Sequence, residues 1–157
     1  MRRSAGIVLY RLVDDGTERR IEVLLGHMGG PFWARRDAGA WTIPKGEHEP
    51  DEDPLGAARR EFEEETGVSL PAADFADLGE VRQSGGKVVR AWAVEGDLDA
   101  ATLASNTFEL EWPPRSAQTL TVPELDRFEW FDLETARSKI IVAQAEFLDR
   151  LAQRRTL

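Results

Sequence analysis

Four glutamates occupy five positions at Glu61, Glu63, Glu64 and Glu65, within the stretch ARREFEEETGV. Like charges three or four apart on a helix repel by roughly 0.2–0.5 kcal/mol per pair. No lysine follows four residues on to relieve them. On a helix turning about 100° per residue, with Glu61 at zero, Glu65 falls near +40° and Glu64 near −60°. These three carboxylates share a face, while Glu63, at about 200°, looks away to water. Leu55, Ala58 and Phe62 fall between about +60° and +120° and make an apolar stripe that anchors the helix. Ala57, at about −40°, sits inside the acidic face, where a small side chain leaves room for something to approach. One reading of such a face is a solvated acidic surface. The other is a site for a hard cation, since Mg²⁺ and Mn²⁺ take carboxylate and carbonyl oxygens in octahedral geometry. Spacing alone leaves both open.

The helix has its own punctuation. Asp53-Pro54 reads as an N-cap followed by proline in the first turn, and Gly67 reads as the stop. Before it, SAGIVLYRLV and RIEVLLG are apolar, β-branched runs joined by the polar turn Asp14-Asp15-Gly16-Thr17, a hairpin pattern. A glycine-rich loop runs from His27 to Ala40, and WTIP is a short strand halted by Pro44. ADLGEVRQ and KVVRAWAVEG bracket Ser84-Gly85-Gly86 as a second hairpin. TFELEW alternates and ends at Pro113-Pro114. RFEWF is another short strand, and Asp132 caps a helix from Leu133. From about Ile140 to Gln153, Ile141, Ala145, Leu148 and Leu151 recur at helical spacing. The order predicts one mixed α/β domain over residues 1–157, with helices on both faces of a sheet.

Composition narrows the function classes. The chain has 157 residues, 41% of them hydrophobic, enough for one core, and carries a net charge of −9. That charge argues against binding a nucleic-acid polymer, which calls for a basic surplus. With no cysteine, disulfides, thiolate nucleophiles and cysteine-ligated zinc drop out, and a cytoplasmic protein is expected. The apolar stretch from Ala5 to Tyr10 is broken at Arg11, too short for a signal peptide or a membrane span. His27 and His48 are too isolated for a zinc site.

From Gly46 the chain reads Gly46, five residues, Glu52, seven residues, then Arg60-Glu61-Phe62-Glu63-Glu64-Glu65-Thr66-Gly67-Val68. This resembles, at every defined position, the GX5EX7REUXEEXGU signature of the Nudix hydrolases, where U is a bulky apolar residue. The element order around it is similar to the Nudix α/β/α sandwich, a mixed β-sheet between helices. The resemblance implies a Mg²⁺- or Mn²⁺-dependent pyrophosphohydrolase in which divalent cations relieve the glutamate repulsion. It implies metal ligation by Glu61, Glu64 and Glu65 with the backbone carbonyl of Gly46. It implies catalytic roles for Glu61 and Glu64, and a role for Arg60 in orienting a neighbouring glutamate, with Glu52 structural. Some members take their base from outside the box. Glu109 and Glu111, which share one face of a strand, are the candidates here.

Substrate choice rests on fewer residues. Nudix members acting on dinucleoside polyphosphates or diphosphoinositol phosphates often carry "PKG" ahead of the box, and Pro44-Lys45-Gly46 is similar. Lys45, Arg35 and Arg36 offset a phosphate chain against the negative background. Trp33 is placed to stack on a purine or to pin the loop. Arg115 is a further phosphate candidate, and Trp41 reads as core. The preferred expectation is hydrolysis of dinucleoside polyphosphates such as diadenosine tetraphosphate by a monomer or homodimer. A MutT-like nucleoside-triphosphate pyrophosphohydrolase is the alternative. A nucleotide-sensing module without turnover is a third reading, but such modules typically lose box carboxylates, and this chain keeps them all.

Overall fold

The computed structural model describes residues 2–71 and 73–156, the last two as backbone only. Strands β1 (Arg2–Asp14), β2 (Arg19–Met28), β3 (Trp41–Thr42) and β4 (Lys45–Glu47) precede helix α1 (Pro54–Thr66). After it come β5 (Ala76–Gln83), β6 (Lys87–Glu95), β7 (Thr107–Glu111), β8 (Thr119–Pro123) and β9 (Leu125–Asp132), then helices α2 (Leu133–Lys139) and α3 (Ala145–Thr156). Seven strands form one sheet with the path β3-β2-β1-β6-β5. There β4 adds to β1 and β9 to β2, while β7 and β8 pair with each other. The sheet is mixed: β1 runs parallel to β6 and antiparallel to β2 and β4.

Helices cover both faces, so central strands are buried on both sides. Along β1, Ala5, Ile7 and Leu9 pack with Ala57, Ala58 and Phe62 of α1, whereas Val8 points to the other side. That second core holds Trp41, Ala136, Phe147, Leu148 and Leu151. The period-two alternation of a strand divides one apolar run between two helical layers. The expected α/β/α sandwich is present.

Both hairpins and the caps of α1 and α2 stand where the residues place them. Asp53 accepts from the Gly56 N–H, and Asp132 accepts from Thr135. Gly67 closes α1 at φ 80°, a left-handed conformation that costs glycine nothing and lets its N–H bond the Glu63 carbonyl. Four readings are corrected. The chain after Pro44 re-enters the sheet as β4, because Lys45, Gly46 and Glu47 pair with Gly6, Ala5 and Ser4. Strand β8, absent from the sequence reading, pairs with β7. The C-terminal helix begins at Ala145 and not near Ile140. Ile140 ends α2 in an extended conformation and bridges Trp41, while the Ile141 N–H donates to the Trp41 carbonyl. Ala57 is fully buried in the core, packed with Ala5, Ile7 and Leu9 of β1, and so does not belong to the acidic face.

Candidate active site

Strand β4 and helix α1 meet over a cavity of about 400 Å³. Pairing β4 on β1 carries Gly46 against α1. A Cβ on Gly46 would lie 2.0 Å from the Glu61 carboxyl carbon, so only glycine lets the strand and this carboxylate pack together. The backbone N–H of Lys45 donates to Glu65 Oε2 at 2.9 Å. Glu61, Glu64, Glu65, Gly46 and Lys45 all line the cavity. Glu63 is exposed and is not among its lining residues.

Arg60 answers the repulsion that the sequence raised. Its Nη1 donates to Glu61 at 2.8 Å and to Glu64 at 3.3 Å, while Nε and Nη2 donate to the two Glu52 oxygens at 3.2 and 3.3 Å. The fork holds Glu61 in place from outside the cavity while Glu52 braces the guanidinium. Among the described residues, no three acidic or histidine side chains stand grouped as a metal cage. Their oxygens face Arg60 and the Lys45 amide instead. The donor set nonetheless suits a hard divalent cation, being carboxylate and carbonyl oxygen throughout.

Burial gives these carboxyls a need for positive charge. Desolvation raises Glu65 to about 8, against the lowering effects of the Lys45 amide and ammonium. Glu61 is raised by burial and then by Glu64, with Arg60 opposing. Burial lowers Lys45 from its ordinary value, with Glu65 countering.

A NUDIX domain family model matches residues 1–151. The chain belongs to the Nudix family. Nudix hydrolases generally use divalent metal ions. It is 33% identical over 102 residues to a Myxococcus xanthus protein named octanoyltransferase, a match covering 65% of this chain and 25% of that protein. The chain thus spans about a quarter of that relative's length. Among solved structures, a C. elegans Ap4A hydrolase binary complex superposes with a TM-score of 0.66 at 21% identity, covering 99% of this chain and 98% of the other. The NUDIX domain of Shewanella oneidensis NrtR complexed with ADP ribose superposes at 0.62 with 16% identity, covering 97% and 86%. At these identities the likeness is one of fold.

This Nudix cavity also contains residues that sequence reasoning missed. Glu124 lies on its wall, raised by burial with Lys45 opposing, and Lys87, Asn106 and Ser4 join it. Glu124 carries no motif. Its place follows from the Gly29 N–H bonding its carbonyl at 3.0 Å and its own N–H bonding Asn106 at 2.9 Å. Lys87 follows the Ser84–Gly86 turn and reaches the cavity because β6 runs beside β1.

Other expected residues stand elsewhere. Glu109 and Glu111 do share a face, but outside the cavity lining: Glu109 accepts from the Thr121 hydroxyl and Glu111 from the Arg115 N–H. Arg115 is exposed in the β7–β8 connection. Trp33 packs against the second core and meets Phe32 edge-on at 5.0 Å. Arg35 is exposed, and Arg36 lies over the Phe32 ring at 4.1 Å. His27 is fully buried and ties Asp126 at 2.9 Å to the Arg36 carbonyl at 2.7 Å, a loop anchor. No helix among the described residues is long and apolar enough to cross a membrane.

Proposed function

We propose that this Nudix domain is a Mg²⁺- or Mn²⁺-dependent pyrophosphohydrolase of dinucleoside polyphosphates, diadenosine tetraphosphate being the representative substrate. The observation that carries this reading is the pairing, in one cavity, of Lys45 and Lys87 with the four carboxylates Glu61, Glu64, Glu65 and Glu124. Two cations gathered in one place in a protein of net charge −9 favour a polyanion there. Glu61, Glu64, Glu65 and the Gly46 carbonyl would hold the divalent cation, which when bound neutralises phosphate charge and acidifies water. Arg60 holds Glu61 and Glu64 in register. Glu64, the exposed carboxylate of the three, takes the proton of the attacking water. Lys45 and Lys87 neutralise the phosphates away from the scissile bond.

A MutT-like reading, release of pyrophosphate from a nucleoside triphosphate, is favoured by one observation. The cavity of about 400 Å³ is near the lower end of ordinary ligand sites, and Trp33 and Arg35 lie outside its lining. Comparing kcat/KM for diadenosine tetraphosphate and an oxidised purine triphosphate, with Mg²⁺ and with EDTA, tests both. A tenfold advantage for the triphosphate overturns the first reading, and hydrolysis undiminished by EDTA overturns the metal requirement.

A further inference from the structure

The β7–β8 hairpin stands apart from the seven-stranded sheet. Its register sets Phe108 opposite Val122 and Leu110 opposite Leu120, and it sets Glu109 and Glu111 opposite Thr121 and Thr119. Opposed residues share a face, so the hairpin has one polar side and one apolar side. The apolar side is anchored at its base, where Val122 is buried, and opens outward until Leu120 is 43% exposed. It leans on the turn after β2: the Cβ position of Gly30 lies 3.7 Å from Leu110 Cδ2 and 3.8 Å from Val122 Cγ2.

Two residues beyond Gly30, Phe32 is 53% exposed and yet held. The Arg36 guanidinium lies 4.1 Å from its ring centroid, Arg36 Nε donates to its carbonyl at 3.2 Å, and Trp33 meets it edge-on at 84°. An apolar ring kept in water with its backing already in place loses little freedom when a ligand covers it. Both elements leave the cavity at one rim. Met28, Asn106 and Glu124 all line the cavity, and the Gly29–Glu124 and Glu124–Asn106 backbone bonds tie loop and hairpin together there.

We propose that Phe32 and the Leu110/Leu120 face of the hairpin form the nucleobase site, taking a flat heterocycle whose phosphate chain runs into the carboxylate cavity. The proposal rests on the nucleotide-hydrolase reading above and adds where the base lies. The cavity is lined mainly by charged and polar side chains and suits phosphates. A base attached to them lies beyond that lining, on the side where Met28 leads into the loop of Phe32 and where Asn106 and Glu124 flank the hairpin. The aliphatic face of the hairpin, with the Phe32 ring, offers stacking and apolar contact there. A second copy of the chain is the weaker occupant, since a few exposed side chains fall far short of the roughly 800 Å² per partner of a stable interface.

Phe32→Ala and Leu120→Ser remove exposed groups and leave the core intact. Steady-state kinetics with diadenosine tetraphosphate and with a nucleoside triphosphate, and the inhibition constant of inorganic tripolyphosphate as a base-free probe, test the site. KM for the nucleotides rises roughly 5- to 100-fold in Phe32→Ala, with kcat and the tripolyphosphate constant unchanged. Wild-type hydrolysis of nucleotides with KM unmoved in both variants overturns the nucleobase site and leaves the hydrolase reading standing. Failure of the wild type to hydrolyse any nucleotide overturns both. A parallel rise in the tripolyphosphate constant, or loss of a dimer in sedimentation with KM unmoved, also overturns the nucleobase site.

Discussion

The backbone N–H of Lys45 donates to the Glu65 carboxylate at 2.9 Å, joining residues 20 apart in sequence. The bond locks strand β4 to helix α1 at the point where burial raises Glu65 to about 8. The strand that positions the Gly46 carbonyl is thereby tied to the helix that carries the carboxylates.

A pH dependence of stability follows in the metal-free protein. Glu65 has a folded value of about 8 against an ordinary 4.5, so between these the folded state holds a proton that the unfolded state has released. Stability from this group is fully present below about pH 4.5 and is lost as pH rises toward 8, with a slope of at most about 1.4 kcal/mol per pH unit. Urea denaturation in EDTA at pH 5 and pH 8 shows this as a difference that Glu65→Gln removes. The same pH dependence in variant and wild type contradicts it.

Mg²⁺ binding to the native state alone raises Tm as its concentration increases. Glu61→Gln weakens that rise, whereas Glu63→Gln, exposed and outside the cavity lining, leaves it intact. Differential scanning fluorimetry over a Mg²⁺ series makes the comparison. Equal responses in the two variants rule out a cation on this helix face.

Arg60 holds Glu61 at 2.8 Å and lowers its proton affinity against the raising effects of burial and Glu64. In Arg60→Ala, Glu61 therefore ionises at higher pH, and the acidic limb of the kcat/KM profile moves upward. Stability changes little, because partly exposed ion pairs contribute weakly. An unmoved acidic limb removes Glu61 from the titrating set.

Glu124 shares the cavity, and Glu109 and Glu111 are not among its lining residues. Glu124→Gln lowers kcat, because it removes a carboxylate from the cavity wall beside Lys45. Glu109→Gln and Glu111→Gln retain wild-type turnover. The opposite ranking, read from kcat at saturating substrate, returns the outside role to β7.

Lys87→Gln and Lys45→Gln raise KM for diadenosine tetraphosphate more than for a nucleoside triphosphate, since a longer phosphate chain has more charge to neutralise. Arg35→Gln and Arg115→Gln, outside the cavity lining, leave both KM values unchanged. Circular dichroism separates a lost phosphate contact from misfolding in Lys45→Gln, whose side chain is partly buried. A uniform loss on both substrates argues against selection by chain length.

The residues by themselves determined whatever depends on neighbours along the chain. Asp53 and Gly67 bound α1 because caps are satisfied within a few residues, and Glu61, Glu64 and Glu65 share a face because helical period is local. The alternation of TFELEW correctly separates Phe108 and Leu110 from Glu109 and Glu111. That pattern cannot say which way the strand faces the rest of the molecule. Tertiary structure decided everything that depends on distant partners. Ala57 belongs to the core because β1 covers that side of α1. Ile140 leaves the helix because Trp41 bonds the chain there. Glu124 and Lys87 reach the carboxylates only through pairings with segments far off in sequence, and Trp33 and Arg35 fall outside because their loop packs on itself and on the second core. Hydrogen-bond register and burial are set by which surfaces meet, and no spacing within one segment encodes that meeting.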